Sequence, residues 1–147
     1  MPAADPVSSA RLDLVNEHEA LESFQQRVAE ALERQGYPKA SLFAVRLALH
    51  EALSNAFQHG HRQLPPGTPI AVEYHVDPGH ATFAIEDRGG GFDPSSIPDP
   101  TLDENLEATS GRGLMLIRAY MTSARFSKGG RRLELDYQKP TASKPRG

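Results

Sequence analysis

Cysteine is absent from the chain, which excludes both a disulfide framework and a thiolate-held metal. A dominant charge is also missing: 16 Lys+Arg stand against 19 Asp+Glu, a formal net charge of -3. That balance leaves no electrostatic footprint for nucleic acid or an anionic membrane. No stretch approaches the roughly 20 apolar residues that cross a bilayer. The opening MPAADPVSSARL lacks the apolar core of a secretory signal. Internal repeats and linker-like stretches are lacking too. These absences lead to the expectation of one cytoplasmic domain, which 147 residues suffice to build around a real core. The ends read as tails. Residues 1–10 are small and Pro-containing, and 139–147 (KPTASKPRG) are basic and Pro-rich, with too little apolar surface to offset the entropy of ordering. The folded domain is expected to occupy 11–138.

What is present is periodic. RLDLV alternates and predicts a short strand. Over 17–35, Leu21, Phe24, Val28, Ala31 and Leu32 fall at helical spacing, with Gly36 as terminator. Pro38 opens a second helix that runs to about His59 and is closed by Gly60. Beyond LPPGTP, the runs IAVEYHV and ATFAIED make an antiparallel hairpin about Asp77, Pro78, Gly79 and His80. A long Gly/Pro/acidic segment then precedes a third helix, from Leu114 to about Met121. SARFS and RRLELDY, around Lys128, Gly129 and Gly130, make a second hairpin. The order βααββ, loop, αββ argues for an α/β (α+β) two-layer sandwich, with helices stacked on one face of a mixed sheet.

The second helix departs from a simple surface pattern. Leu42, Val45, Leu49, Ala52, Leu53 and Ala56 form one broad apolar stripe, while Glu51, Asn55 and Gln58 lie on the far side. Their neighbours there are Ala44, Leu47 and Ala48, small or apolar residues rather than charges. The helix is therefore expected to be covered on both faces, with a carboxylate and an amide in sheltered space. Such a carboxylate calls for a partner or a ligand. A plain alternative is that Glu51 and Asn55 simply bond to each other, at their i,i+4 spacing, or to solvent. The run HEALS does not make a zinc-protease helix, because HExxH needs a histidine where Ser54 stands.

Two glycine loops follow. In IEDRGGGFDP, Asp87 ends a strand, with Gly89 and Gly91 two and four residues on. Glycines let a flat ring approach the backbone closely. A carboxylate at a strand end can accept a hydrogen bond from an exocyclic amine such as adenine's, and would repel the carbonyl of guanine. An ordinary Asp-Gly turn has the same sequence. In SGRGL, Ser110, Gly111, Arg112, Gly113 and Leu114 open the third helix, where unpaired backbone N–H groups suit a phosphate. A simple loop-to-helix turn is again the plain alternative. Between the loops, 93–110 is rich in Pro, Asp and Glu, and is long enough to be a functional lid over a nucleotide or a solvated acidic loop.

Taken in order, E-x-x-x-N on a helix, D-x-G-x-G after a strand and G-x-G before a helix resemble the nucleotide-binding (Bergerat) fold of the GHKL superfamily. That superfamily comprises gyrase, the large ATP-dependent chaperone, histidine kinases and MutL. The ending of EALSNAFQHG (51–60), the short length and the flanking helices are most similar to the anti-sigma-factor serine/threonine kinases. The resemblance implies a mostly antiparallel sheet covered on one face by three helices. It also implies that Asn55 supplies an oxygen to Mg²⁺ and that Glu51 is the general base toward a serine or threonine hydroxyl. Asp87 would bind the adenine amine of ATP, Gly89 and Gly91 would shape its pocket, and residues 111–114 would cradle the phosphates. His59 and Gly60 match the family pattern without a defined role. The implied partners are an antagonist protein, phosphorylated on Ser or Thr, and a sigma factor that is held and released. A homodimer is left open.

The chain departs from the pattern in two places. Some members carry an arginine where this chain has Thr109 and Ser110, leaving Arg112 to serve the γ-phosphate, and Thr122 replaces a common acidic residue. Two other functions stay open beside the kinase. One is a non-catalytic module that sequesters a regulatory partner when ATP is bound. The other is the catalytic fragment of a histidine kinase, which needs a phospho-accepting histidine on a helical hairpin. His18 is the only superficial candidate for that histidine, and no second hairpin helix accompanies it.

Overall fold

The computed structural model describes residues 8–60, 67–88, 111–128 and 131–140, leaving aside the side chains of 59, 60 and 111–113. Five strands and three α-helices lie in these residues: β1 (Ser8–Leu14), α1 (His18–Arg34), α2 (Lys39–Asn55), β2 (Ile70–Val76), β3 (His80–Glu86), α3 (Gly111–Tyr120), β4 (Ser123–Ser127) and β5 (Arg132–Gln138). The sheet order is β1-β2-β3-β5-β4. All four pairings are antiparallel, so the expected mixed, mostly antiparallel sheet is antiparallel throughout its described strands. No described helix is long and apolar enough to cross a membrane.

Alternation decides which face each strand buries. In β2, Ile70, Val72, Tyr74 and Val76 point into the core, as do Ala81, Phe83 and Ile85 in β3 and Leu133 and Leu135 in β5. The helices lie on that face: Phe24, Val28 and Leu32 of α1, Val45 and Leu49 of α2 and Ile117 of α3 complete the core. β1 begins at Ser8, ahead of the RLDLV run, because Ser8, Ser9 and Ala10 continue the register against Val76, His75 and Tyr74.

The turn between α1 and α2 follows the sequence closely. Gly36, at φ +85, closes α1. The Gly36 N–H donates to the Glu33 carbonyl at 3.0 Å and the Tyr37 N–H to the Leu32 carbonyl at 3.0 Å. This is the paired bonding of a left-handed helix cap, which favours glycine. Pro38 takes the N-cap of α2 at φ -72, close to the value its ring imposes. α2 does not continue as an α-helix to His59. It stops at Asn55, and residues 56–60 form a π turn. α3 starts at Gly111, three residues before the expected start.

Bonds between the layers orient the helices along the sheet. At one end, the Tyr37 hydroxyl donates to the Asp77 carbonyl at 2.8 Å and the Tyr137 hydroxyl to Ser41 Oγ at 2.7 Å. The Thr122 N–H donates to the Asp136 carbonyl at 2.8 Å. The start of α2 and the end of α3 therefore share the end of the sheet where β3 begins and β5 finishes. A 17-residue helix spans about 25 Å, and a seven-residue strand about 23 Å. The C-terminus of α2 thus reaches the opposite end, where β3 finishes, and α3, ten residues and about 15 Å long, points its N-terminus toward that end.

Candidate functional site

That opposite end collects the motif residues. Glu86 is the last residue of β3, facing Ala71 at the start of β2 and Arg132 at the start of β5. Asp87 follows it and is buried at 8% exposure. Its N–H donates to the Arg131 carbonyl at 2.9 Å, continuing the ladder by one bond past the strand. Alternation turns the Asp87 side chain away from the open face on which Glu86 lies, toward the helical layer.

Glu51 and Asn55 stand one turn apart near the C-terminus of α2, and both are half-buried. α2 is the middle helix. α1 holds its Arg46 flank, through Gln25 Nε2 donating to the Arg46 carbonyl at 3.1 Å and Arg46 Nη2 donating to both Glu22 oxygens at 2.9 Å. α3 packs more extensively against α2 than α1 does, and it takes the other flank, where Ala44 and Ala48 are buried. Alanines let the two axes approach closely. Glu51 and Asn55 continue this flank toward the end where α3 begins. Among the described residues neither side chain has a hydrogen-bond or ionic partner. Of the plain alternative, the i,i+4 bond between them is not made, and bonding to solvent stays open.

The sheltering of α2 is less complete than its sequence suggests. Lys39, Phe43, Arg46 and His50 form an exposed stripe, and Phe43 is 61% exposed. Gln58, grouped with Glu51 and Asn55 on a straight helix, is exposed. The π turn widens the winding after Asn55 and changes its direction.

Gly111, Arg112 and Gly113 form the first turn of α3, so its free backbone N–H groups and the positive end of its dipole point toward this same end. Leu114 is buried and anchors that turn in the core. His59 and Gly60 lie in the π turn. Gly89, Gly91, Ser110 and the 93–110 segment lie outside the described residues. Thr122 belongs to the other end, where its Oγ1 accepts from the Gln138 N–H at 2.8 Å, so its departure from the family pattern is remote from this site. Sequence reasoning missed the π turn, for which no residue pattern signals, and the Arg131 carbonyl that holds Asp87. It also missed a groove of about 250 Å³ between α1 and α2, lined by Leu21, Phe43, Leu47 and Phe57 among others, to which neither Asn55 nor Asp87 contributes.

Residues 14–137 match the family described as the histidine kinase-like ATPase domain. The chain belongs to that family. A solved structure of the RsbU and RsbW domains of Rv1364c from Mycobacterium tuberculosis is similar to it, with a TM-score of 0.59 and 16% sequence identity. The match covers 90% of this chain and 31% of that one, so the chain spans about a third of the length of the protein it resembles. At that identity the likeness speaks to the fold. The histidine kinase-like ATPase domain here is thus an antiparallel five-stranded sheet with three helices on one face, and its family implies ATP binding.

Proposed function

We propose that the chain binds magnesium-ATP at the end of the sandwich where β3 and α2 finish and α3 begins, and uses it to phosphorylate a serine or threonine of a partner protein. The observation that carries this reading is the pair Glu51 and Asn55: half-buried, one turn apart and without a partner among the described residues. Polar groups left unpaired in sheltered space cost stability, and their retention points to a ligand. The donor set fits the nucleotide. Asp87 offers a buried acceptor for the adenine amine, and the α3 N-terminus offers N–H groups for phosphate. Asn55 offers one neutral oxygen of the kind Mg²⁺ takes when phosphate oxygens and water complete its shell. When bound, the ion neutralises charge on the phosphates.

In the transfer, the partner's hydroxyl oxygen bonds to the γ-phosphorus as the bond from that phosphorus to the bridging oxygen breaks. ADP leaves and Glu51 takes the hydroxyl proton. Positioning and electrostatics supply most of the acceleration. The fold likeness to a structure containing an RsbW domain supports a partner-switching setting, with an antagonist protein as the phosphorylated partner and a sigma factor as the sequestered one.

Titration with ATP and GTP, with and without Mg²⁺, tests the binding. Magnesium-dependent, ATP-selective affinity should weaken on the order of 10- to 100-fold in Asp87→Asn, with a narrower ATP-to-GTP ratio, because an asparagine amide can donate to guanine's carbonyl. Asn55→Ala should remove the magnesium dependence. Glu51→Gln should lower phosphotransfer about 10²–10⁴-fold with ATP affinity nearly intact. Transfer at full rate in Glu51→Gln would remove that residue from the reaction. Retention of a partner with ATP but without transfer would leave a nucleotide-dependent binding module.

A further inference from the structure

The two residues flanking Asp87 are both tied down on the open face of the sheet, in opposite directions. Glu86 is held toward β5 and β4: Arg132 Nη1 lies 3.2 Å and Lys128 Nζ 3.6 Å from Glu86 Oε1. Arg88 is held toward β2 and β1: its Nε donates to the Pro69 carbonyl at 3.1 Å and its Nη2 lies 3.6 Å from Asp13 Oδ1. Arg132 is itself fixed, with Nε on Glu134 Oε2 at 2.9 Å and Nη2 on Glu73 Oε1 at 3.4 Å. Its side chain is only 18% exposed, against 70% for Arg11 and 69% for Arg125 at the two edges of the same face.

From this arrangement we infer that Glu86, Arg132 and Arg88 form a two-sided ionic clamp that sets the position of the Asp87 carboxylate. The inference rests on the reading of Asp87 as a base-recognising residue. Asp87 stands one residue past the last strand pair, where its N–H continues the ladder to the Arg131 carbonyl just ahead of β5. A carboxylate that reads a base must be held to a fraction of an ångström, by supports on rigid elements. Pulling its two neighbours toward opposite edges of the sheet fixes both the height of Asp87 and the rotation of its backbone. The clamp residues are positioning residues, since they lie on the face opposite the site and touch no ligand. Arginine suits the role of Arg132 because its fork reaches Glu73, Glu86 and Glu134 together, which a lysine cannot do.

The test uses the full chain as wild type, Arg132→Gln, Arg88→Gln and Arg125→Gln. Arg125 belongs to the same charged face, through Glu134 at 3.1 Å, but lies on β4 without contact to Glu86. Amide hydrogen exchange at Asp87 should accelerate about tenfold or more in the first two variants and not in the third. ATP affinity should fall on the order of 10- to 100-fold in the same two, with a narrower ATP-to-GTP ratio, and Arg132→Lys should recover part of the loss. If Arg132→Gln does not fold, Glu86→Gln removes one arm at nearly constant shape. Wild-type exchange at Asp87 in the clamp variants, or an equal effect of Arg125→Gln, would overturn the clamp. Failure of the wild type to bind ATP would instead overturn the nucleotide reading, while the exchange measurement would still decide the clamp.

Discussion

Tyr37 closes the end of the sandwich opposite the motif residues, and its chemistry is separable from theirs. The ring is buried at 5% exposure, its hydroxyl donates to the Asp77 carbonyl, and Lys139 Nζ sits 5.2 Å from the ring centre. Burial, then the charges of Asp77 and Tyr137, push the phenol up to about 12, above the roughly 10 of a free tyrosine. The folded protein therefore keeps a proton that the unfolded chain releases between those values. The stability this contributes is complete below pH about 10 and is lost as pH rises toward 12. Tyr37→Phe should cost about 1 kcal/mol at neutral pH by losing the hydrogen bond. The wild-type advantage should shrink steadily over pH 10–12 in paired denaturation curves. Little of this was legible beforehand. Tyr37, Ser41 and Asp77 are brought together by the stacking of layers, with 40 residues between Tyr37 and Asp77, and no local pattern encodes such a contact. That Glu51 and Asn55 lie near the end of α2 and Asp87 just past β3 was legible because spacing to glycines and to strand and helix ends is local.

At the scale of elements, the sequence was most informative where one residue type has a single backbone consequence. Gly36 and Pro38 marked the α1–α2 turn correctly because positive φ favours one and a fixed φ of about -65° defines the other. The C-terminus of α2 was misread for the complementary reason. AFQHG is compatible with an α-helix, and the π turn that replaces it is a matter of backbone bonding without a residue signature. The alanines of α2 were read as a sheltered surface without their partner, and the structure supplies it: Ala44 and Ala48 admit α3. Ala48 is fully buried. Ala48→Leu should therefore overpack the α2–α3 contact and cost about 1–3 kcal/mol. Because α3 carries the phosphate-facing turn in the proposed site, ATP affinity should fall in the same variant. Denaturation and nucleotide titration together check this, and a stability loss with unchanged affinity would separate α3 from the nucleotide.

Over the whole molecule the two faces of the sheet divide the work. The inner face carries the core, while the open face carries a charge network that crosses every strand. It runs from Arg11 on β1 to Glu73 on β2, on to Arg132 on β5, which meets Glu86 on β3, and through Glu134 to Arg125 on β4. Alternation puts polar residues on this face, but which charges pair depends on register, and register is set by the core residues on the other side. The network has a definite acid signature. The hydrogen bond from Arg132, and then its charge, holds the Glu134 carboxyl below the ordinary carboxylate range, with Arg125 adding to the effect. A folded value below the unfolded one, about 4.3, means the unfolded chain binds more protons in that window. Glu134 therefore contributes stability that is present above pH about 4.3 and is lost as pH falls through the lower folded value. Glu134→Gln should flatten the acid limb of the stability curve below that pH and leave the alkaline limb, governed in part by Tyr37, unchanged. Because Glu134 is about one-third exposed, the difference should also narrow as salt is raised, whereas the Tyr37 effect, buried away from solvent, should persist. Paired acid denaturation curves at low and high ionic strength separate the two, and an acid limb equally steep in Glu134→Gln would place the acid sensitivity elsewhere in the fold.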